Sequence, residues 1–152
     1  MYQALTFYHS IVRWLVLASL VYAILIAYKG YRSNAVFSKT DNTVMHWTAT
    51  IAHVQLMIGI VLFSQSPVTK YFWSNAGQHL RNIDLAFFGF IHEVLMLMAI
   101  VLITIGSALA KRKQTDHEQF RAMLVWFSIS LVIIFIAIPW PFSPLASRPY
   151  FR

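Results

Sequence analysis

The chain contains no cysteine, and that absence removes disulfides, iron–sulfur clusters, a thiolate nucleophile and the C-x-x-C-H attachment of covalent haem. Any metal or haem would have to be held by nitrogen, oxygen or thioether. Charge is the second scarcity: five acids and twelve bases make up 11% of the 152 residues, against about 25% in an ordinary soluble domain. So few charges cannot cover a water-soluble globule of this length, and with 59% apolar residues the excess must face lipid. The five glycines stand singly at 30, 59, 77, 89 and 106. They form no glycine-rich phosphate loop, so nothing points to ATP chemistry. Long polar linkers are missing too, which leaves a single domain.

What the sequence does contain is long uncharged runs. No Asp, Glu, Lys or Arg occurs between Asp41 and Lys70, or between Arg121 and Arg148, and each stretch exceeds the about 20 residues that cross a bilayer core. The run VLMLMAIVLITIGSALA after Glu93 is extended back to Asp84 by LAFFGFI, and LTFYHSIVRWLVLASLVYAILIAY near the start is interrupted only by His9 and Arg13. The sequence predicts an all-α, integral membrane four-helix up-and-down bundle, with helices at about 5–28, 43–64, 84–110 and 118–138 and a tail over 139–152. The first run carries its basic residue inside the apolar stretch and no small-residue cleavage pattern follows, so it reads as a retained helix rather than a signal peptide.

Lys29, Arg32 and Lys39 fall in the first loop, and Lys111, Arg112, Lys113 and Arg121 surround the third, whereas the second has only Lys70 and Arg81. The positive-inside bias puts loops one and three in the cytoplasm and both termini on the periplasmic side of a bacterial inner membrane. The same topology accounts for most of the net charge of +7 without nucleic acid. Tyr71, Phe72 and Trp73 in the second loop, and Trp140, Phe142, Tyr150 and Phe151 after the fourth helix, suit an aromatic belt at the outer interface. Pro139, Pro141, Pro144 and Pro149 forbid a continuing helix there.

Histidine carries the chemistry. In the second helix Thr43, His46, Thr50, His53, Met57 and Ile60 recur at steps of three and four, and in the third Gly89, His92, Met96, Ala99, Ile103 and Gly106 do the same. Both stripes are expected to face other helices, because they mix small residues with His and Met where a lipid face would be uniformly large and apolar. The small residues allow either tight helix packing or room for a flat group. His9 and Arg13 share one face of the first helix. Counted from the outer boundary at about 1.5 Å per residue, His9 lies about 6 Å deep, His92 about 12 Å and His53 about 16 Å.

Ionisable groups within hydrocarbon mark a pathway, a site or an ion pair. Imidazoles at similar depth on separate helices point to a non-covalent b-type haem, whose iron takes two axial nitrogens. His53 and His92 match best in depth, with His9 the alternate ligand, since helices one and three are the diagonal pair of a simple square. Arg13 is placed to pair with a haem propionate; its plain alternative is a salt bridge to Glu93. His46 and His117 lie near the inner ends of the other diagonal, either as a second haem site or as interfacial side chains. His92-Glu93 is no zinc-protease signature, because Met96 stands where the second His is required. Met45, Met57, Met96 and Met98 read as soft copper ligands or as gap-filling core.

The chain resembles the short four-helix bacterial membrane proteins called cytochrome b or cytochrome b-like. The resemblance rests on His9-Ser10 followed by Arg13-Trp14, on Ala52-His53-Val54-Gln55-Leu56 with Gly59, on His92 before MAIVLITIG, and on IPWPF at 138–142. It departs from the family's pattern just before the third-helix His, where Ile91 replaces an acid and Glu93 follows instead. The resemblance implies a membrane bundle with haem at His9, His53 and His92. Together these readings predict an electron carrier or small haem subunit of a respiratory complex, embedded in lipid beside other membrane subunits, with quinone as one electron partner. No catalytic triad or hydrolytic pair suggests an independent enzyme. The rivals are a cofactor-free accessory subunit and a copper or proton pathway.

Overall fold

A computed structural model describes residues 2–74 and 76–144. Its long helices are α1 (Tyr2–Ser33), α2 (Lys39–Gln65), α4 (Ile83–Arg112) and α5 (Asp116–Ala137), and α3 (Pro67–Ser74) is a short helix between α2 and α4. The described residues form an all-α protein, and its four long helices are each long and apolar enough to cross a membrane.

Each long helix runs past its apolar stretch. The first two cover Tyr2–Ser33 and Lys39–Gln65 where 5–28 and 43–64 were expected, because capping rather than hydropathy sets the ends. Ser38 caps α2: its Oγ accepts from the Asp41 N–H, and the Asp41 carboxylate accepts from the Ser38 N–H. Thr115 caps α5 by accepting from the Glu118 N–H. Asn34, at φ 49°, ends α1 in the left-handed region that Asn tolerates.

The helices form a square: α1 packs on α2 and α5, and α4 packs on α5 and α2, leaving α1 opposite α4. The buried seam of α1 is Val16, Leu20, Ala23, Ala27 and Gly30, at alternating steps of four and three, the period of a left-handed bundle. Ala99, Ile103, Gly106 and Ala110 continue it on α4, and Phe120, Met123, Phe127 and Ile134 on α5. Close approach needs the glycines. A Cβ on Gly106 would stand 2.4 Å from the Cβ of Trp126, so α4 and α5 touch backbone to side-chain root, and tight packing is the use of that stripe. At the end near loop 34–38, the Phe37 N–H donates to Asp116 Oδ1 at 3.0 Å and Phe37 meets Phe120 edge-on.

One expected face is displaced. On α2 the buried residues are Met45, Thr48, Ala52 and Gly59, whereas His46, His53, Met57 and Ile60 are exposed. Both sets follow helical spacing, and in a chain apolar inside and out the small residues mark the packed face better than the polar ones.

The aromatic belt is likewise only partly on the surface. Tyr71, Trp73 and Phe142 are exposed, but Phe72 is 1% exposed and Trp140 9%, each packed into the protein. Tyr150, Phe151 and Pro149 lie outside the described residues.

Because the Trp126 Cβ cannot swing away, Gly106→Ala should destabilise the bundle by about 1–3 kcal/mol. Ile105→Ala, on the exposed face, should stay within about 0.5 kcal/mol of wild type. Unfolding of both variants in mixed micelles by denaturing detergent, followed by circular dichroism, checks the contrast.

Candidate functional site

The seam is filled up to Val16, Ile100 and Ile134, which form the floor of a cavity of about 200 Å³ at the end carrying the N terminus. By the same kind of measure one water needs about 10–15 Å³, so the space suits a small organic group better than a bare ion. Its walls hold an unusual density of polar side chains for a membrane bundle: His9 and Arg13 from α1, Gln55 from α2, His92 and Glu93 from α4, and Ser66 and Thr69 over the top.

Three devices build this end. The first is a turn of π-helix, Phe87–Ile91, inside α4, in which the His92 N–H bonds the Phe87 carbonyl. The extra residue lets Gly89 face α3 while His92 and Met96 face the cavity. The second is α3, opened by Pro67 at its first position, where a missing N–H costs nothing. Phe72 of α3 occupies the place a side chain at 89 would take, with ring atoms 2.3–2.6 Å from a built Cβ, and the Trp73 indole donates to the Gly89 carbonyl at 3.2 Å. The third is the chain after α5, where Trp140 packs on Trp14 with ring centres 5.9 Å apart and Pro139 reaches the cavity wall.

His9 and His92, from the diagonal helices, face each other with ring centres 6.4 Å apart and planes inclined at 69°. His92 is held on two sides. Phe87 packs against its ring, and Nδ1 donates to the Ala137 carbonyl at 2.8 Å. A carbonyl only accepts, so Nδ1 carries the proton and Nε2 keeps the lone pair. On the other wall the buried Nδ1 of His9 has no hydrogen-bond partner among the described residues, and the same holds for Gln55 Oε1 and Thr69 Oγ1. Gln55 Nε2 donates to the His9 carbonyl at 2.9 Å, which ties α2 to α1 at this level. Gly59 lies against the His9 ring, a built Cβ falling 3.5 Å from Cε1.

The other expected site residues are elsewhere. His53 is exposed on α2, its Nδ1 donating to the Ala49 carbonyl and its Nε2 lying 3.3 Å from Thr104 Oγ1. The fold therefore does not bring His53 to His92; His9, the alternate, takes that place. His46 is exposed beside Trp47, and His117 is exposed against Tyr31, ring centres 4.2 Å apart. Those two imidazoles share no cavity among the described residues, which leaves them as separate surface side chains. Arg13 lines the cavity with its guanidinium 5.6 Å from the Trp14 ring centre. Glu93 lines it as well. Of the methionines proposed as ligands, Met96 reaches the cavity, Met45 is buried on α2, and Met57 and Met98 are exposed.

An imidazole nitrogen sits about 2.0–2.1 Å from a first-row metal ion and about 1.1 Å from its own ring centre, so two rings opposed across one ion have centres about 6.3 Å apart. The observed 6.4 Å agrees with that separation. No third His, Cys, Asp or Glu among the described residues completes a cluster. Two imidazoles are too few for a closed zinc site, but they are the number a haem iron takes when the macrocycle supplies its other four nitrogens. The pair thus offers two nitrogen donors at a ring separation that matches the two imidazoles of a haem iron. The chain matches no family model, no curated protein and no solved structure.

Sequence reasoning assigned Ser66 and Thr69 no role and Gln55 only a place in the segment around His53. Gln55 was visible as a polar residue in an uncharged run, whereas Ser66 and Thr69 reach the site only because α3 folds back over it. Gly89→Ala should push Phe72 off α4 and lift α3, lowering stability by about 1–3 kcal/mol. Trypsin cleavage at Lys70 of the folded protein, faster in the variant than in wild type, checks this.

Proposed function

We propose that the protein is a membrane-embedded b-type haem carrier, in which His9 and His92 would hold the iron, acting as an electron-transfer subunit of a respiratory complex. The observation that carries this reading is the pair of imidazoles on opposite helices with ring centres 6.4 Å apart, with no cluster of three His, Cys, Asp or Glu among the described residues. It receives support from the resemblance of His9-Ser10, Arg13-Trp14 and IPWPF to cytochrome b-like proteins, since these segments meet at one end of the bundle. A haem, when bound, cycles between ferric and ferrous iron and so accepts and passes on one electron.

The chain's own residues then have distinct tasks. His9 gains a partner for its buried imidazole, and His92 presents the lone pair of Nε2. Arg13 supplies a fixed positive charge at the cavity wall, suited to a propionate. Val16, Ile100 and Ile134 exclude water from the floor. The excess of basic residues in the first and third loops supports an orientation with the cavity and both termini on the periplasmic side of a bacterial inner membrane. Electrons would pass to an outer-face protein partner or to quinone.

The test is the visible spectrum of the detergent-purified protein, oxidised and then reduced with dithionite. A Soret band with a sharp reduced α-band is expected in wild type and in His53→Ala and His46→Ala, and should be lost in His92→Ala and weakened or shifted in His9→Ala. A colourless, folded wild type from haem-replete cells would leave the cofactor-free reading in its place, and copper in that preparation would favour the Met96 side of the cavity. The cysteine-free chain also permits a clean orientation test: single cysteines at Gln78 and at Gln114 should react with an impermeant maleimide on intact cells at the first position only.

A further inference from the structure

The last turn of α5 meets two prolines, and side chains take over both lost bonds. In a helix the carbonyl of residue i accepts from the N–H of residue i+4, and proline has no N–H. The carbonyls of Phe135 and Ala137 would look to positions 139 and 141, both of which are Pro. Phe135 instead accepts from Trp140 Nε1 at 2.8 Å, and Ala137 from His92 Nδ1 at 2.8 Å. Pro139 also drives Ile138 out of helical geometry, to φ −73° and ψ 128°. The Trp140 N–H then turns to the Ile138 carbonyl at 2.9 Å, away from the helix end.

We infer that the Pro139–Pro141 pair positions His92: by denying the Ala137 carbonyl a backbone donor, it reserves that oxygen for the imidazole and so fixes which ring nitrogen keeps its lone pair. A hydrogen bond of this kind behind a ligating imidazole sets its tautomer, steadies the ring and raises its basicity. The consequence for haem rests on the reading above, but the geometry does not. Trp140, between the prolines, holds the arrangement in register through Trp14 and through the parallel ring of Phe142, whose centre is 5.8 Å away.

The experiment uses the full chain in micelles with 15N-labelled histidine side chains, first without haem and then titrated with haemin. Wild type should show His92 in the Nδ1–H tautomer alone, with a slowly exchanging proton. In a Pro139→Ala/Pro141→Ala variant the helix can continue and the N–H at 141 can reach Ala137. Both tautomers of His92 should then be seen, and haemin affinity should fall about 10–100-fold. A folded variant that keeps the single tautomer and the wild-type affinity would overturn the inference. Should the variant not fold, wild type still decides: an Nε2–H or mixed tautomer there would also overturn it. Failure of every form to take haemin would remove the haem reading, while the tautomer comparison would still settle the role of the prolines.

Discussion

A polar side chain inside a hydrocarbon layer has no water to turn to, so its partners must come from within the bundle. The structure obeys this rule along most of its length by keeping the seam apolar and small. Ser107 on α4 is one exception, its hydroxyl buried without a hydrogen-bond partner among the described residues, and the polar groups gather most densely at one end, where Arg13, Gln55, Glu93 and two imidazoles share a single cavity. Some of these groups are answered by the protein, as when Ala137 accepts from His92 and His9 accepts from Gln55. Others, His9 Nδ1 and Gln55 Oε1 among them, are left buried and unanswered. The cavity beside them is the place where a partner for these atoms would sit.

Packing elsewhere makes the cavity possible. Glycine at 106 draws α4 onto α5, so that pair packs closely, while α2 meets α4 less extensively and the cavity lies between α1 and α4 at one end. The π-turn ahead of His92 then shifts the register of α4 by one residue, turning Gly89 toward Phe72 and leaving His92 opposite His9. An insertion of this sort weakens a helix and persists when the neighbourhood compensates it. Here Phe72 and the Trp73 indole do so.

The architecture was legible because uncharged runs and proline and loop charges are strong signals in a membrane protein. The site was legible in part. His9, Arg13 and His92 line one cavity, as the diagonal argument suggested for the two histidines, but depth favoured His53, which is exposed beside Thr104. Depth gives one coordinate of a side chain and leaves its azimuth open. For α2 the azimuth was written in Met45 and the small Thr48, Ala52 and Gly59, the buried positions, rather than in the histidines. The π-turn and the fold-back of α3 carry no such periodic signal, and they decide what covers the cavity.

The account stands on two imidazoles sharing one iron. Electron paramagnetic resonance of the oxidised, haem-loaded protein tests this most directly, because the iron's spin state reports its axial ligands. A low-spin ferric signal in wild type that becomes high-spin in His9→Ala is the predicted result. A high-spin signal in wild type, or a low-spin signal unchanged in both His9→Ala and His92→Ala, would contradict it.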